Sequence, residues 1–256
     1  IPVFHDDQHG TAIVVLAALT NALRVVGKDL ARARVVVAGG GAAGTAIVTL
    51  LLAAGVTDVV VWDREGCLAA GMAGLSDAKA ELARATNPRG VTGDLRAGLD
   101  GADVFVGVSA PGVLQAEWIQ EMAERAVVFA LANPDPEVDP GEAGKYAAVV
   151  ASGRSDYPNQ INNVLAFPGV FRGLLDARAH EVSVDMLLRA AAAIAHVVKD
   201  EELNSSFIIP TVFHPDVPGA VAAAIREGTT QDGAVDGAAS RPVGSPAQDS
   251  PEAGSA

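Results

Sequence analysis

Short apolar runs separated by glycine-containing turns recur along the first 150 residues of the chain. Each run is rich in valine or alanine and is too short to be a buried helix. Five such runs occupy residues 35–38, 59–62, 104–108, 126–131 and 147–151. Continuous apolar runs of this length are typical of strands that are covered on both faces. The pattern therefore predicts a parallel sheet with helices on either side.

Longer apolar segments alternate with these runs and predict helices. Residues 11–26 form a long apolar run that Gly27 ends, which indicates a buried helix with a glycine stop. Residues 44–54 predict a second helix, closed by Gly55, and residues 116–125 predict a third. Right-handed crossovers between parallel strands place helices on both faces of the sheet. We therefore expect an α/β fold, a Rossmann-like doubly wound parallel sheet.

The pattern becomes helical after about Phe171 and predicts extra C-terminal helices. Ser183 suits the N-cap of a helix with apolar residues at helical spacing, and Lys199 suits its last turn. Asp216 and Pro218 predict the start of a last helix that ends near Gly228. We therefore expect one domain over residues 1–228. Residues 229–256 consist mainly of alanine, glycine, serine, proline and aspartate, and they predict a disordered tail.

Composition and charge exclude several classes of partner. The net charge is −13 with a pI near 4.7, which argues against nucleic acid and against an anionic membrane surface. Cys67 is the single cysteine, so an internal disulfide is excluded, and we expect a reducing, cytoplasmic location. Residues 35–57 carry no charge and are long enough to cross a bilayer. The glycines within them favour a strand, a turn and a buried helix, so we expect no membrane span.

A glycine-rich turn lies between the first predicted strand and the second predicted helix. It has the G-x-G-x-x-G spacing, with small residues throughout: Gly39, Gly40, Gly41, Ala42, Ala43 and Gly44. A turn of this kind lets the backbone of a helix N-terminus approach a pyrophosphate. Asp63, at the end of the second strand, could accept hydrogen bonds from the ribose. The pattern favours dinucleotide binding over a glycine turn that serves only close packing.

The choice between NAD and NADP stays open. Arg64 directly follows Asp63, and an arginine there could pair with a 2′-phosphate or could simply be a surface residue. Asp63 slightly favours NAD.

Two further motifs carry polar groups that suit a metal and a small anionic substrate. Asp6 and Asp7 are adjacent carboxylates before the first helix, and hard cations such as Mg²⁺ and Mn²⁺ prefer such oxygens. A zinc site through His5 and His9, or a simple helix cap, are the alternatives. Asparagines follow later strands at Asn133, Asn162 and Asn163. Their amides suit a substrate with a carboxylate and a hydroxyl, whereas ordinary turn chemistry would explain the same residues.

Five segments in order resemble the cofactor domain of bacterial malic enzymes. They are residues 4–12, 107–112, 129–134, 152–163 and 167–169. The resemblance covers residues 1 to about 227. It implies an enzyme that oxidatively decarboxylates L-malate to pyruvate and CO₂ with NAD or NADP and with Mg²⁺ or Mn²⁺. The complete enzyme would be a homo-oligomer, most simply a dimer.

The resemblance also implies roles for individual residues. Asp7 would be a metal ligand with Asp6 beside it in the second shell. The backbone from Gly40 to Ala43 would hold the cofactor. Asn133 and Asn163 would hold L-malate, with Asn162 assisting.

In malic enzymes the catalytic lysine, the catalytic tyrosine and a Glu-Asp pair of metal ligands lie upstream of the stretch that this chain resembles. We therefore expect no catalytic residue in this chain, which would supply the cofactor-binding part. A stand-alone dinucleotide-binding module without turnover is the alternative. An amino-acid dehydrogenase is disfavoured, because adjacent carboxylates have no role in a hydride transfer that uses no metal.

Overall fold

The structure, a computed structural model, describes residues 2–232 of the chain. Six strands form one sheet in this part: β1 Arg34–Ala38, β2 Asp58–Asp63, β3 Gly66–Cys67, β4 Val104–Gly107, β5 Val127–Ala130 and β6 Val149–Ser152. Its α-helices are α1 Thr11–Val26, α2 Ala42–Ala53, α3 Asp77–Ala85, α4 Leu95–Leu99, α5 Pro140–Ala143, α6 Phe167–Ala177, α7 Val184–Val197 and α8 Val217–Asp232. A π-helical turn, Asp6–Gly10, runs directly into α1.

The strands lie in the order β3-β2-β1-β4-β5-β6. All neighbours are parallel except β3, which is antiparallel to β2 and only two residues long. In the register, Val36 of β1 pairs with Val60 on one side and Phe105 on the other. The chain proceeds outward from β1 in both directions, so the strand order reverses between β1 and β4. This arrangement confirms the doubly wound fold and its five parallel strands.

Both faces of the sheet are covered, which explains why the strands are apolar at every position. Val35 and Val37 of β1 belong to a core formed with α1, α2, α7 and α8. Val36, between them, belongs to a second core on the opposite face with Leu99 of α4. Successive strand side chains point to opposite faces, so a strand buried on both sides needs apolar residues throughout.

The stretch without charge, residues 35–57, folds as β1, the glycine turn and α2, as expected for a globular core. The described residues do contain one helical segment, Asp6–Val26, that is long and apolar enough to span a membrane by those criteria alone. Of its apolar window, 72% is buried inside the domain, and the buried core helix of a globular protein passes the same test.

Four predicted helices differ from the structure in extent or type. Helix α7 ends at Val197, so Lys199 lies beyond its last turn. The prediction for residues 116–125 is wrong, because Ala116–Glu121 is a 3-10 helix, Met122 is extended and Arg125 has a φ of 57° that turns the chain into β5. Helix α2 begins at Ala42 rather than residue 44, since Gly41 takes the N-cap position.

Helix α8 continues past Gly228 to Asp232. A Cβ atom on Gly228 would lie 3.0 Å from the Cγ of Met186, so the glycine allows α8 to pack closely on α7 and does not end the helix. The proposed division at residue 228 stays a prediction. Of the predicted tail, residues 233–256 lie outside the described part of the chain.

Helices α6 and α8 approach each other at two glycines of α6. A Cβ atom on Gly173 would lie 2.6 Å from the Cβ of Ile225 and 2.8 Å from the carbonyl oxygen of Ala222. At Gly169, a Cβ atom would lie 2.5 Å from the Cβ of Val221. All three distances are well below van der Waals contact, so the two helices are this close only because α6 has no side chain at these positions.

We predict that Gly173→Ala lowers the free energy of unfolding by about 1–3 kcal/mol, because overpacking forces the two helices apart. Gly219→Ala is the matched control. Gly219 also lies in this helix pair, but nothing is within 4 Å of its Cβ position, so the substitution should be neutral or stabilising by up to about 1 kcal/mol. Urea denaturation of both variants checks this. Equal effects would contradict the close helix contact.

Candidate functional site

The glycine turn brings three backbone segments together at the point where the strand order reverses. Gly39 has a φ of 115°, and a Cβ atom on it would lie 2.6 Å from the carbonyl oxygen of Val108, just after β4. A Cβ atom on Gly44 would lie 1.8 Å from the carbonyl oxygen of Gly39. Helix α2 can therefore pack on the turn, and the turn on β4, only with glycine at both positions.

The middle of the turn leaves the N-terminus of α2 open. Gly41 is exposed and occupies the N-cap position, but it has no side chain to cap the helix. Nothing lies within 4 Å of its Cβ position. The N–H groups in the first turn of a helix have no intrahelical acceptors, and together with the helix dipole they attract an anion. The backbone at Ala42 and Ala43 can therefore bind a phosphate group.

Asp63 lies at the end of β2, and hydrogen bonds hold its side chain beside the glycine turn. Its carboxylate accepts hydrogen bonds from the N–H of Gly40 at 3.0 Å and from the N–H of Arg64 at 2.7 Å. The Nζ of Lys79 lies 3.0 Å from the same carboxylate and 2.7 Å from the carboxylate of Glu65. Partial burial raises the pKa of Asp63, but these N–H donors and Lys79 outweigh it and lower the pKa below its usual value.

Lys79 is therefore part of this corner, although the sequence analysis did not find it. It lies on α3, a helix that the apolar pattern did not predict. No local motif connects it with Asp63. Arg64, which the sequence offered as a partner for a 2′-phosphate, is exposed at the same corner.

An open cleft of about 880 Å³ lies along the carboxyl ends of the strands, where ligands bind in doubly wound sheets. It brings together six of the residues that the sequence suggested for the site: Asp6, Asp7, Ala43, Asn133, Asn162 and Asn163. Gly39, Gly40, Gly41, Ala42, Gly44, Asp63 and Arg64 are not among its lining residues. The predicted site thus has two parts that meet at Ala43.

Asn163 ties the two ends of the domain together at this cleft. Its side-chain oxygen accepts a hydrogen bond from the hydroxyl of Thr11 at 3.1 Å. Its amide donates to the carbonyl oxygen of Asp6 at 3.3 Å. The turn that carries the two aspartates is therefore held against the segment after β6. Asn162 instead caps the next 3-10 helix by accepting from the N–H of Val164, and Asn133 is exposed after β5.

The two aspartates differ in environment. Asp7 is exposed toward the cleft, whereas one carboxylate oxygen of Asp6 is buried without a hydrogen-bond partner. Burial raises the pKa of Asp6, and the charge of Asp7 raises it further. Gly10 makes room for this carboxylate, because a Cβ atom there would lie 2.3 Å from it. An unpartnered oxygen beside a second carboxylate fits a cation.

Within residues 2–232, no group of three or more histidine, cysteine, aspartate or glutamate side chains is placed to hold a metal ion. The two aspartates would therefore provide only part of a ligand set. The alternative of a zinc site through both histidines has no support, because the Nδ1 of His9 accepts a hydrogen bond from the backbone N–H of His5 at 3.1 Å. The ring of His9 is buried against Phe4.

Arg154 is the second residue that sequence reasoning missed. Among the cleft-lining residues that the structure describes, it is the one lysine or arginine. Asp156 pairs with its guanidinium through two hydrogen bonds, of 2.9 and 2.6 Å, and the guanidinium lies over the ring of Tyr157. The feature of the sequence that could have identified it is its position within residues 152–163, a segment that resembles malic enzymes. An arginine in an otherwise acidic cleft can bind a carboxylate or phosphate.

The reversal of strand order, the glycine turn, the uncapped helix and the acid at the end of β2 define the class of protein. They are the features of a Rossmann-type dinucleotide-binding domain.

The family model described as "Malic enzyme, NAD binding domain" matches residues 8–229. The chain belongs to the malic enzyme family, of which it carries the NAD-binding domain.

Named relatives agree with this assignment. The chain is 52% identical to an NAD-dependent malic enzyme of Geobacillus stearothermophilus over 91% of its own length and 49% of the relative's. It is 42% identical to an NADP-dependent malic enzyme of Halomonas elongata over 91% of its length and 58% of the relative's. The chain thus spans about half the length of these relatives.

A solved structure is similar in fold as well. The crystal structure of an NAD-dependent malic enzyme from Thermotoga maritima matches with a TM-score of 0.84 and 47% identity. The match covers 88% of this chain and 60% of that one.

We predict a pH-dependent contribution of Asp63 to stability. The N–H donors and Lys79 lower the pKa of Asp63 in the folded state, so its ionised form stabilises the fold at neutral pH. This stabilisation is lost as the pH falls through the folded-state pKa. The difference in unfolding free energy between the wild type and Asp63→Asn should therefore be present at pH 7 and shrink below about pH 4.

Urea denaturation at several pH values measures this difference. Lys79→Met is the companion variant. With the lysine removed, the effect of Asp63→Asn should change less with pH, since one of the groups that lower the pKa is gone. A difference that stays constant from pH 7 to pH 3 would contradict an ionised, hydrogen-bonded Asp63.

Proposed function

We propose that this chain binds NAD or NADP and contributes the cofactor half of an enzyme that oxidatively decarboxylates L-malate to pyruvate and CO₂. One observation carries the proposal: the uncapped N-terminus of α2 lies beside Asp63 at the point of strand reversal. The membership in the malic enzyme family supplies the reaction. The adenosine would lie over the β2 side of the turn, and the nicotinamide would extend past the reversal toward the cleft.

The corner around Asp63 would recognise the adenosine ribose. An ionised carboxylate accepts hydrogen bonds from ribose hydroxyls, which favours NAD. The cations beside it, Lys79 and Arg64, suit the 2′-phosphate of NADP. Lys79 is already paired with two carboxylates, so it would have to leave them to bind a phosphate. The preference for NAD or NADP therefore depends on whether the ribose contacts the carboxylate of Asp63 or the cations Lys79 and Arg64.

The cleft would hold L-malate between its acidic and amide sides. Asn133 and Asn163 offer amide groups that donate to a carboxylate or accept from a hydroxyl. Asn162 is bound to the backbone through its side-chain oxygen and has its amide left to donate. Arg154 provides the positive charge that a dicarboxylate needs, provided that it exchanges Asp156 for the substrate.

The aspartates would hold a divalent cation, Mg²⁺ or Mn²⁺, with Asp7 as the ligand and Asp6 behind it. Carboxylate oxygens are the ligands that these hard cations prefer. When bound, the cation supplies the Lewis acidity that polarises a substrate carbonyl. Asp6 keeps the turn in place through its carbonyl oxygen, and its second role is to add negative charge beside Asp7.

The base and the acid of the reaction would come from outside this chain. Oxidation of malate requires a group that removes the hydroxyl proton, and loss of CO₂ requires one that delivers a proton to carbon. Among the described residues that line the cleft there is no lysine or tyrosine. The dimeric assembly and the cytoplasmic location stay predictions.

We predict that Asp63→Ala weakens NAD binding by about 1–3 kcal/mol, because a charged hydrogen-bond acceptor for the ribose is lost. The effect on NADP should be smaller. Lys79→Ala and Arg64→Ala test the opposite preference: either one that binds the 2′-phosphate should weaken NADP selectively. Calorimetric titration of both cofactors against the three variants separates these roles. Unchanged affinities in all six titrations would remove this corner from the site.

We also predict that the chain binds the cofactor but does not form NAD(P)H from malate and Mn²⁺. Each missing proton-transfer group typically contributes about 10²–10⁴-fold in rate. An absorbance assay of the chain alone, and again with the N-terminal half of a relative added in trans, measures this. Turnover by the chain alone would contradict the proposed division of labour. Failure to bind either cofactor would contradict the proposal as a whole.

A further inference from the structure

Glu137 is a fully buried carboxylate that has no part in the site described above. Its side chain is 0% exposed and lies between the ends of β4 and β5. One carboxylate oxygen accepts a hydrogen bond from the backbone N–H of Ser109 at 2.8 Å, and the other accepts one from the N–H of Ala132 at 2.9 Å. The hydroxyl of Ser109 is a further, longer contact at 3.3 Å. Glu137 therefore bridges the two strand ends.

This bridge begins where the sheet ladder stops. The last hydrogen bond between the two strands runs from the N–H of Leu131 to the carbonyl oxygen of Gly107 at 3.0 Å. One residue further along, the strands separate, and the carboxylate fills the gap. The donors are Ser109 after one strand and Ala132 after the other. Both strand ends lead directly into walls of the cleft.

The sequence makes room for the carboxylate at Gly107. A Cβ atom there would lie 2.4 Å from the Cδ of Glu137. The backbone of the same segment also holds the loop after β4. The N–H of Gly112 donates to the carbonyl oxygen of Pro136 at 3.1 Å, and the N–H of Leu114 donates to that of Glu137 at 3.0 Å. Side chain and backbone together fix residues 109–114.

Burying a carboxylate is energetically unfavourable, so a buried glutamate at this position indicates a specific structural role. Taking a carboxylate out of water is unfavourable unless hydrogen bonds replace the lost hydration. Burial raises the pKa of Glu137 above its usual value, and the backbone donors Ser109 and Ala132 offset only part of this. Neither backbone N–H has an acceptor on the neighbouring strand here, so the carboxylate of Glu137 accepts a hydrogen bond from both. An apolar side chain of similar size would leave the two N–H groups unpaired.

We propose that Glu137 is the positioning residue for the nicotinamide end of the cofactor, through the spacing that it sets between the backbones of Ser109 and Ala132. This inference rests on the proposed cofactor binding. In a doubly wound sheet the adenosine half lies on the β2 side of the strand reversal and the other half extends over the strands beyond it. Those strands are β4 and β5. Glu137 should therefore affect the nicotinamide end and leave the adenosine end unchanged.

Two probes separate these ends on the full 256-residue chain. NADH carries both halves, whereas ADP-ribose carries the adenosine, the pyrophosphate and the second ribose but no nicotinamide. Glu137→Gln keeps the size of the side chain but replaces one acceptor by an NH₂ group, which cannot accept from a backbone N–H. Glu137→Asp keeps the charge but is one methylene too short to reach both strand ends.

We expect both variants to bind NADH about tenfold or more weakly, because an unpaired buried N–H displaces the strand ends. Affinity for ADP-ribose should stay within about twofold of the wild type. Calorimetric titration measures both affinities. Asn21→Ala is the control for loss of stability alone. Asn21 is equally buried, and its amide donates to the carbonyls of Ala195 and Ile208, away from the cleft.

The control should lower the melting temperature but leave the ratio of the two affinities unchanged. Equal losses for both probes in the Glu137 variants would mean a merely structural role and would overturn the proposal. Full NADH affinity in Glu137→Asp would also overturn it, because the bridge would then be unnecessary. If Glu137→Gln does not fold, Glu137→Asp decides alone. A wild-type chain that binds neither probe would contradict the proposed cofactor binding itself.

Discussion

The close approach of three backbone segments at the strand reversal is the constraint on which the rest of the domain depends. Gly39 passes against the backbone after β4, and Gly44 allows α2 to pack on Gly39. Any side chain at either position would separate helix, turn and strand. Because the helix, the turn and the strand are in contact, the N-terminus of α2 lies accessible at the carboxyl edge of the sheet. The proposed dinucleotide site depends on this packing, since the groups that would bind its phosphates are backbone atoms.

The second part of the site depends on ties between segments that are distant in sequence. Asn163 holds the turn with the two aspartates, and Glu137 spans two strand ends. Asn163 bonds the hydroxyl of Thr11 and the backbone of Asp6, whereas Glu137 accepts from backbone N–H groups just beyond the ends of β4 and β5. A cleft that lacks a lysine or tyrosine among its described residues is suited to bind and orient a ligand. In the proposed enzyme, proton transfer would come from another part of the protein.

The fold was largely predictable because strands buried on both faces must be apolar throughout. The valines of β1 and β2 carry this signal, and the glycine spacing between β1 and α2 has few alternative explanations. The helix over residues 116–125 was predicted wrongly, since composition alone does not distinguish a short 3-10 connection from an α-helix. Its end depends on a positive φ at Arg125, a conformation to which few residues other than glycine are suited.

The site was only partly predictable, for a different physical reason. The aspartates and asparagines lie in local motifs, whereas Lys79 and Glu137 reach their partners through tertiary packing. Lys79 meets Asp63 because α3 returns beside β2. In the sequence, nothing distinguishes Glu137 from a surface acid. In the structure it is buried and bridges two strand ends, in the space left by the missing side chain of Gly107. Periodicity and spacing carry no information about such contacts.

The most direct measurement is a map of backbone amide chemical shifts in the ¹⁵N-labelled chain during titration with NADH. We predict that the largest changes occur within residues 39–44, because the phosphates would accept hydrogen bonds from the uncapped N–H groups at the N-terminus of α2. Further changes should follow at Asp63 and at the loop after β4, on either side of the strand reversal. Saturating shifts confined to α6, α7 and α8, with the shifts of residues 39–44 unchanged, would show that the glycine turn does not bind the dinucleotide.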